Sequence, residues 1–145
     1  MLDGPDEMDL HAAELFGLGK LYEDLGHFPE SLRMYERGLL LDPSPEVRNG
    51  ALRRLSFLYK HLQQRDEAVA IWARLCEEGT RLMFPYLELA KHYEHRHKDF
   101  PTAEKYVMQA MERAGNAVEH AELMHRLKRV QVKGARVQAV AARKD

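Results

Sequence analysis

The sequence predicts an all-α fold built from antiparallel helix pairs, and three observations carry the prediction. A pattern of large, small and aromatic residues occurs three times, with copies 37 and 34 residues apart measured from Tyr22 to Tyr59 to Tyr93. Within each copy the marked residues stand at i, i+3, i+4 and i+7, which places them on one face of a helix. Between copies, Gly and Pro fall where helices would have to end or begin.

The copies read Leu15-x-x-Leu18-Gly19-x-x-Tyr22, Leu52-x-x-Leu55-Ser56-x-x-Tyr59 and Tyr86-x-x-Leu89-Ala90-x-x-Tyr93. Each is followed by a small residue and, four positions later, a large one: Ser31 and Tyr35, Ala68 and Trp72, Ala103 and Val107. The interval from tyrosine to small residue is nine in the first two copies and ten in the third. Packing accounts for the pattern. A small residue on the first helix lets the second approach closely, and the large residue on the second fills the remaining space. One pair cannot bury its stripe alone, so pairs stack.

Helices are expected over 9–25, 28–41, 45–62, 65–78, 81–96, 100–114 and 117–133. Gly26 can close the first in a left-handed conformation, and Pro29 suits the first turn of the second. The run Asp42-Pro43-Ser44-Pro45 breaks the chain again, with Ser44 as cap and Pro45 at the first helical position. Asp66 lies in the first turn of the fourth helix, Gly79-Thr80 ends it, Pro101 sits just inside the sixth, and Gly115-Asn116 precedes the seventh. The seventh has no partner. Ala121, Leu123, Met124, Leu127 and Val130 give it an apolar face suited to capping the last pair. Residues 1–10 read as an acidic linker, and residues 134–145 as a basic tail or a helix extension.

These residues resemble the tetratricopeptide (TPR) repeat family, whose pattern is large-x-x-Leu-small-x-x-Tyr, then small-x-x-x-aromatic, then Pro. The resemblance covers about residues 12–115 and implies a right-handed TPR-like solenoid. Its repeats would lie at about 12–44, 45–80 and 81–115, with a capping helix at 117–133 and the whole domain at 11–133. Departures are the Leu or Tyr that replaces the usual first Trp, the serines at Ser31 and Ser56, and one extra residue around Asp99-Phe100. A narrower resemblance lies in the run PYLELAKHYEHRHKDF at 85–100 and in LGKLYEDLG at 18–26. Both look like the C-terminal helical region of bacterial YprB-type proteins, which carry an N-terminal ribonuclease-H-like 3′–5′ exonuclease domain. That family's catalytic acids lie in the N-terminal domain and match nothing here. The resemblance implies that this chain is a fragment, with residues 2–9 the end of an interdomain linker.

The first helix of each TPR pair lines the concave groove. The register therefore implies partner-facing positions at Phe16, Lys20 and Glu23, at Arg53, Phe57 and Lys60, and at Phe84, Leu87, Lys91 and Glu94. Aromatic anchors beside alternating charges suit an extended or helical segment of a partner protein. The competing reading is that Phe16, Phe57 and Phe84 fill gaps between helices. The two-carboxylate clamp that some TPR proteins use for chaperone tails is not expected. The corresponding places hold Phe16, Lys20, Arg54, Phe84 and Glu88, with too few cations.

Composition excludes more than it assigns. With 22 Lys and Arg against 23 Asp and Glu, no global field favours nucleic acid or an anionic membrane. A single cysteine, the absence of a signal peptide and the absence of a long apolar run lead us to expect a cytoplasmic protein without membrane contact. Cys76 beside Glu77 and Glu78 reads as a buried small hydrophobe. His92 and His95 share a helix face, but His97 would point elsewhere in a continuing helix, so no metal is expected. No catalytic constellation and no small-molecule cofactor site is visible. Arg126, Arg129, Lys133 and Arg136 step by three, four and three and would form a ridge that could meet phosphates, or an ordinary solvated face. The functional expectation is a non-catalytic protein-interaction scaffold. The alternative is an accessory domain of a ribonuclease-H-like exonuclease that helps bind nucleic acid through this basic helix.

Overall fold

The computed structural model of the protein describes residues 7–144, which form seven α-helices, one π-helical turn and no strand. The helices are α1 (Glu7–Asp24), α2 (Phe28–Leu40), α3 (Pro45–His61), α4 (Arg65–Glu77), α5 (Phe84–His92), α6 (Phe100–Met111) and α7 (Ala117–Lys144). The π turn, Tyr93–His97, continues α5. The chain divides into two compact units, Met1–Ala68 and Val69–Asp145.

In the first unit α1 packs along α2, and α3 contacts both. The repeat residues meet as their sizes require. Ser31 donates its hydroxyl to the Gly19 carbonyl at 2.6 Å, and the Tyr35 ring lies against Gly19 so closely that a Cβ there would stand 3.1 Å from it. Gly38 on α2 plays the same part toward Phe16, since a Cβ at Gly38 would fall inside the Phe16 ring's van der Waals radius. Tyr35 and Tyr59 tie the helices laterally through their hydroxyls, the first to Glu23 at 3.1 Å and the second to Glu36 at 3.2 Å.

In the second unit α6 packs against both α5 and α7. Tyr86, Ala90, Val107, Ala110 and Leu123 form one buried cluster, and Phe100, Ala103 and Val130 another. Arg113 straps this unit's turn. It donates to the Thr80 carbonyl at 2.7 Å and lies 3.9 Å over the Tyr86 ring.

Five helix ends share one device. Gly26, Asp42, Gln63, Gly79 and Lys98 adopt positive φ, which returns the chain after a helix. The closing bonds His27 N–H to Tyr22 O and Gln64 N–H to Tyr59 O span five residues; Asp99 N–H to Tyr93 O spans six. The extra residue of the third copy is thus taken up in the π turn. It sits upstream of Asp99-Phe100, where spacing alone had placed it.

Two local expectations are corrected and one open alternative is decided. The linker assigned to residues 1–10 is helical from Glu7, and Asp9 there accepts the Ser44 N–H at 2.7 Å; residues 1–6, including Asp3 and Asp6, lie outside the described residues. That bond, with a further one from the Ser44 side chain, lowers the Asp9 pKa. Ser44 precedes α3 but makes no side-chain cap. The capping side chains are Asp99, which accepts from Thr102 N–H at 3.3 Å, and Asn116, which accepts from Glu119 N–H at 2.9 Å. Of the two readings of residues 134–145, a basic tail or a helix extension, the structure has the extension. Gly134 serves close packing, since a Cβ there would lie 3.3 Å from Phe100 Cβ, and the helix runs on to Lys144.

The Gly38 contact yields a prediction. Gly38→Val should destabilise the protein by about 1–3 kcal/mol through overpacking. Combining it with Phe16→Leu should cost less than the sum of the two changes. Chemical denaturation of the four proteins measures this; additive costs would show that the Phe16 contact is not the constraint.

Candidate functional site

The second unit carries a cleft and, beside it, a buried charge cluster. The cleft lies between α5 and α7, is lined by Met83, Leu87, Lys91, Glu119, Glu122, Leu123 and Arg126, and has a volume of 180 Å³. That is room for one side chain, with an apolar floor of Met83, Leu87 and Leu123 under a charged rim. The repeat register had picked out Leu87 and Lys91. The α7 wall was not foreseen, because it depends on how α7 packs.

Glu94, the second residue of the π turn, has a side chain with no exposure to solvent. Three cations of α7 close on it. Arg126 donates at 3.0 Å, Arg129 donates from two nitrogens at 3.0 Å each, and Lys133 donates at 2.8 Å. Burial by itself would raise the Glu94 pKa. The hydrogen bonds of Arg129 and Lys133, with the charges of Arg129 and His95, more than offset it and hold the carboxyl at about 2. The cations are 21, 39 and 36 % exposed, so the cluster is sealed at the carboxylate and open at its rim.

The remaining candidates fall into place around these features. Phe16 turns inward between α1 and α2, where it stacks on Tyr35 with ring centroids 6.2 Å apart, and Phe84 is buried. Phe57 is 36 % exposed, and Lys20 and Arg53 are exposed while Lys60 is half-buried. Glu23 is engaged by the Tyr35 hydroxyl and, at 3.8 Å, by Arg54. Lys91 pairs at 3.4 Å with the buried Glu88. Of the four-residue basic ridge, Arg126, Arg129 and Lys133 are engaged by Glu94, and Arg136 is exposed one turn further on. Burial, with Glu77 adding to it, pushes the Cys76 thiol up to about 12 despite the nearby Arg113. Sequence reasoning missed the pairing of His92 and His97, whose Nε2 atoms stand 3.0 Å apart; the ten-residue interval was its only trace.

Together these features describe an all-helical protein with an open side-chain-sized cleft. No protein-family model matches the chain. The chain is 29% identical, over 101 residues, to the uncharacterised protein YprB of Bacillus subtilis (strain 168), a match covering 68% of this chain and 24% of YprB. The chain therefore spans about a quarter of the length of the curated relative it matches. No described helix is long and apolar enough to cross a membrane.

The Glu94 cluster makes stability pH-dependent. Unfolded, Glu94 titrates near 4.5; folded, near 2. Its contribution is present above pH 4.5 and is lost as pH falls from there through 2. Glu94→Gln should cost about 2–3 kcal/mol at pH 7, below the ~3–5 of a fully buried pair because the cations are partly solvated. The variant should also lose less stability than the wild type between pH 5 and pH 3. Urea unfolding at those pH values checks both, and parallel acid limbs would remove Glu94 from the account.

Proposed function

We propose that this chain is a TPR-like, non-catalytic scaffold that takes one apolar anchor residue of a partner protein into the α5–α7 cleft. The observation that supports this most directly is the coincidence of Leu87 and Lys91, groove positions by the repeat register, with that cleft. Met83, Leu87 and Leu123 would receive the anchor. The charges of Lys91 on α5 and of Glu119, Glu122 and Arg126 on α7 would select for a flanking dipolar segment. The partial match to YprB supports the placement of this module within a longer protein. A right-handed solenoid of stacked pairs, and a cytoplasmic location, belong to the same reading.

Peptides selected by phage display on the immobilised protein should carry a conserved apolar residue flanked by charge. Leu87→Glu should weaken them by about tenfold or more while circular dichroism stays unchanged. Selected peptides that bind the variant equally would place the groove elsewhere.

One observation favours a second reading. Helix α7 runs on to Lys144, and Arg136, Arg143 and Lys144 remain exposed along it. In an accessory domain of a ribonuclease-H-like exonuclease these would meet phosphates, while Arg126, Arg129 and Lys133 would contribute only what Glu94 leaves. Binding of oligonucleotides should weaken with salt and fall in the triple variant to Gln at those three exposed positions. Absence of binding at low salt would eliminate this reading.

A further inference from the structure

The π turn brings together two imidazoles that an α-helix would hold apart. Residues five apart in an α-helix point about 140° away from each other. The wider turn at Tyr93–His97 places His97 beside His92, with rings 4.6 Å apart at 77° and the Nε2 atoms 3.0 Å apart. Tyr93 flanks both rings, at 5.4 Å from His92 and 5.6 Å from His97, and is itself stacked on Tyr106 at 5.7 Å. His92 is buried on this platform and His97 is exposed. One ligand would therefore be fixed, and the other could turn to admit an ion from solvent.

We infer that His92 and His97 form a two-histidine site for a divalent transition-metal ion, bound through both Nε2 atoms. The spacing carries the argument. Two imidazole nitrogens bound at about 2.0–2.1 Å to one ion stand about 2.9 Å apart at a right angle and about 3.3 Å apart at a tetrahedral angle. The observed 3.0 Å lies nearer the right-angle value. This is the cis arrangement of tetragonal Cu(II) or Ni(II), both of which suit imidazole. Without metal, a single proton between the two nitrogens fills the same place. The ion would replace that proton, which moves to Nδ1 of its own ring, since a neutral imidazole bound through Nε2 carries its one proton on Nδ1.

No third protein ligand stands ready. His95 faces Glu94, at 3.6 Å, and no group of three His, Cys, Asp or Glu able to hold a metal occurs among the described residues. The remaining positions would be water, which makes the site open and exchangeable.

Titration of the full chain with Cu(II), Ni(II) and Zn(II) tests the inference, read by calorimetry and by imidazole nitrogen NMR shifts. One ion per chain should bind, Zn(II) more weakly than Cu(II), with both Nε2 resonances moving together. His97→Ala, an exposed change, should weaken binding by about tenfold or more, and His95→Ala in the same turn should leave it unchanged. Equal effects of the two variants, or shifts confined to other histidines, would overturn the site. Should His97→Ala perturb the fold, His97→Gln replaces it: Gln keeps a polar group but is a poor ligand. Undiminished binding by that variant would equally overturn it.

Discussion

A carboxylate sealed from water must be neutralised where it stands, and Glu94 sets that condition for the second unit. Its oxygens cannot recover hydration, so donors have to reach them from the neighbouring helix. Arg126, Arg129 and Lys133 do so at successive turns of α7, which fixes that helix in both rotation and height along α5 and the π turn. Apolar contacts agree with the same alignment: Leu123 and Val130 are buried on the adjoining face, and Gly134 passes over Phe100. Hydrophobic burial and the charge cluster thus agree on one placement of α7 against the unit. The α5–α7 cleft exists because that placement holds the two helices with Leu87 and Leu123 on facing walls.

The first unit uses a weaker version of the same device. Glu23, one residue after its repeat tyrosine as Glu94 is after Tyr93, accepts from Tyr35 and approaches Arg54 of a later helix. Its side chain keeps 27% exposure, and water shares the work of neutralising it. The difference between the two units is one of degree of burial. Only where burial is complete does the partner helix have to supply three cations.

Much of the fold was legible because its determinants are local. Gly19, Ser31 and Tyr35 declare a close helix contact by size alone, and Gly26 and Gly79 declare turns by their tolerance of positive φ. Features that depend on distant residues were not legible. The cationic ridge on α7 was visible as a ridge, but its counter-charge lies 32 to 39 positions away in sequence. Residues 134–145 read equally as a tail or a helix extension, and the close passage of Gly134 over Phe100, on another helix, could not be read from the sequence. Phe16 sat on the correct helix, but periodicity alone did not separate the groove from the seam against α2, where Gly38 leaves room for it.

The ten-residue interval shows the limit most clearly. Counting residues revealed an insertion between Tyr93 and Ala103 but not where the backbone absorbs it. A loop could have taken it up at little cost, leaving no trace in the helix. Absorption in a π turn instead weakens helical bonding locally and changes the angular spacing of every side chain across it. Glu94 and the pair His92 and His97 all lie on or beside that turn. A helix defect retained in the middle of a packed unit is unfavourable in itself. Here it coincides with the fully buried carboxylate of Glu94 and with the contact between His92 and His97. The placement of these groups is what the defect achieves, and the chemistry of this region follows from one added residue.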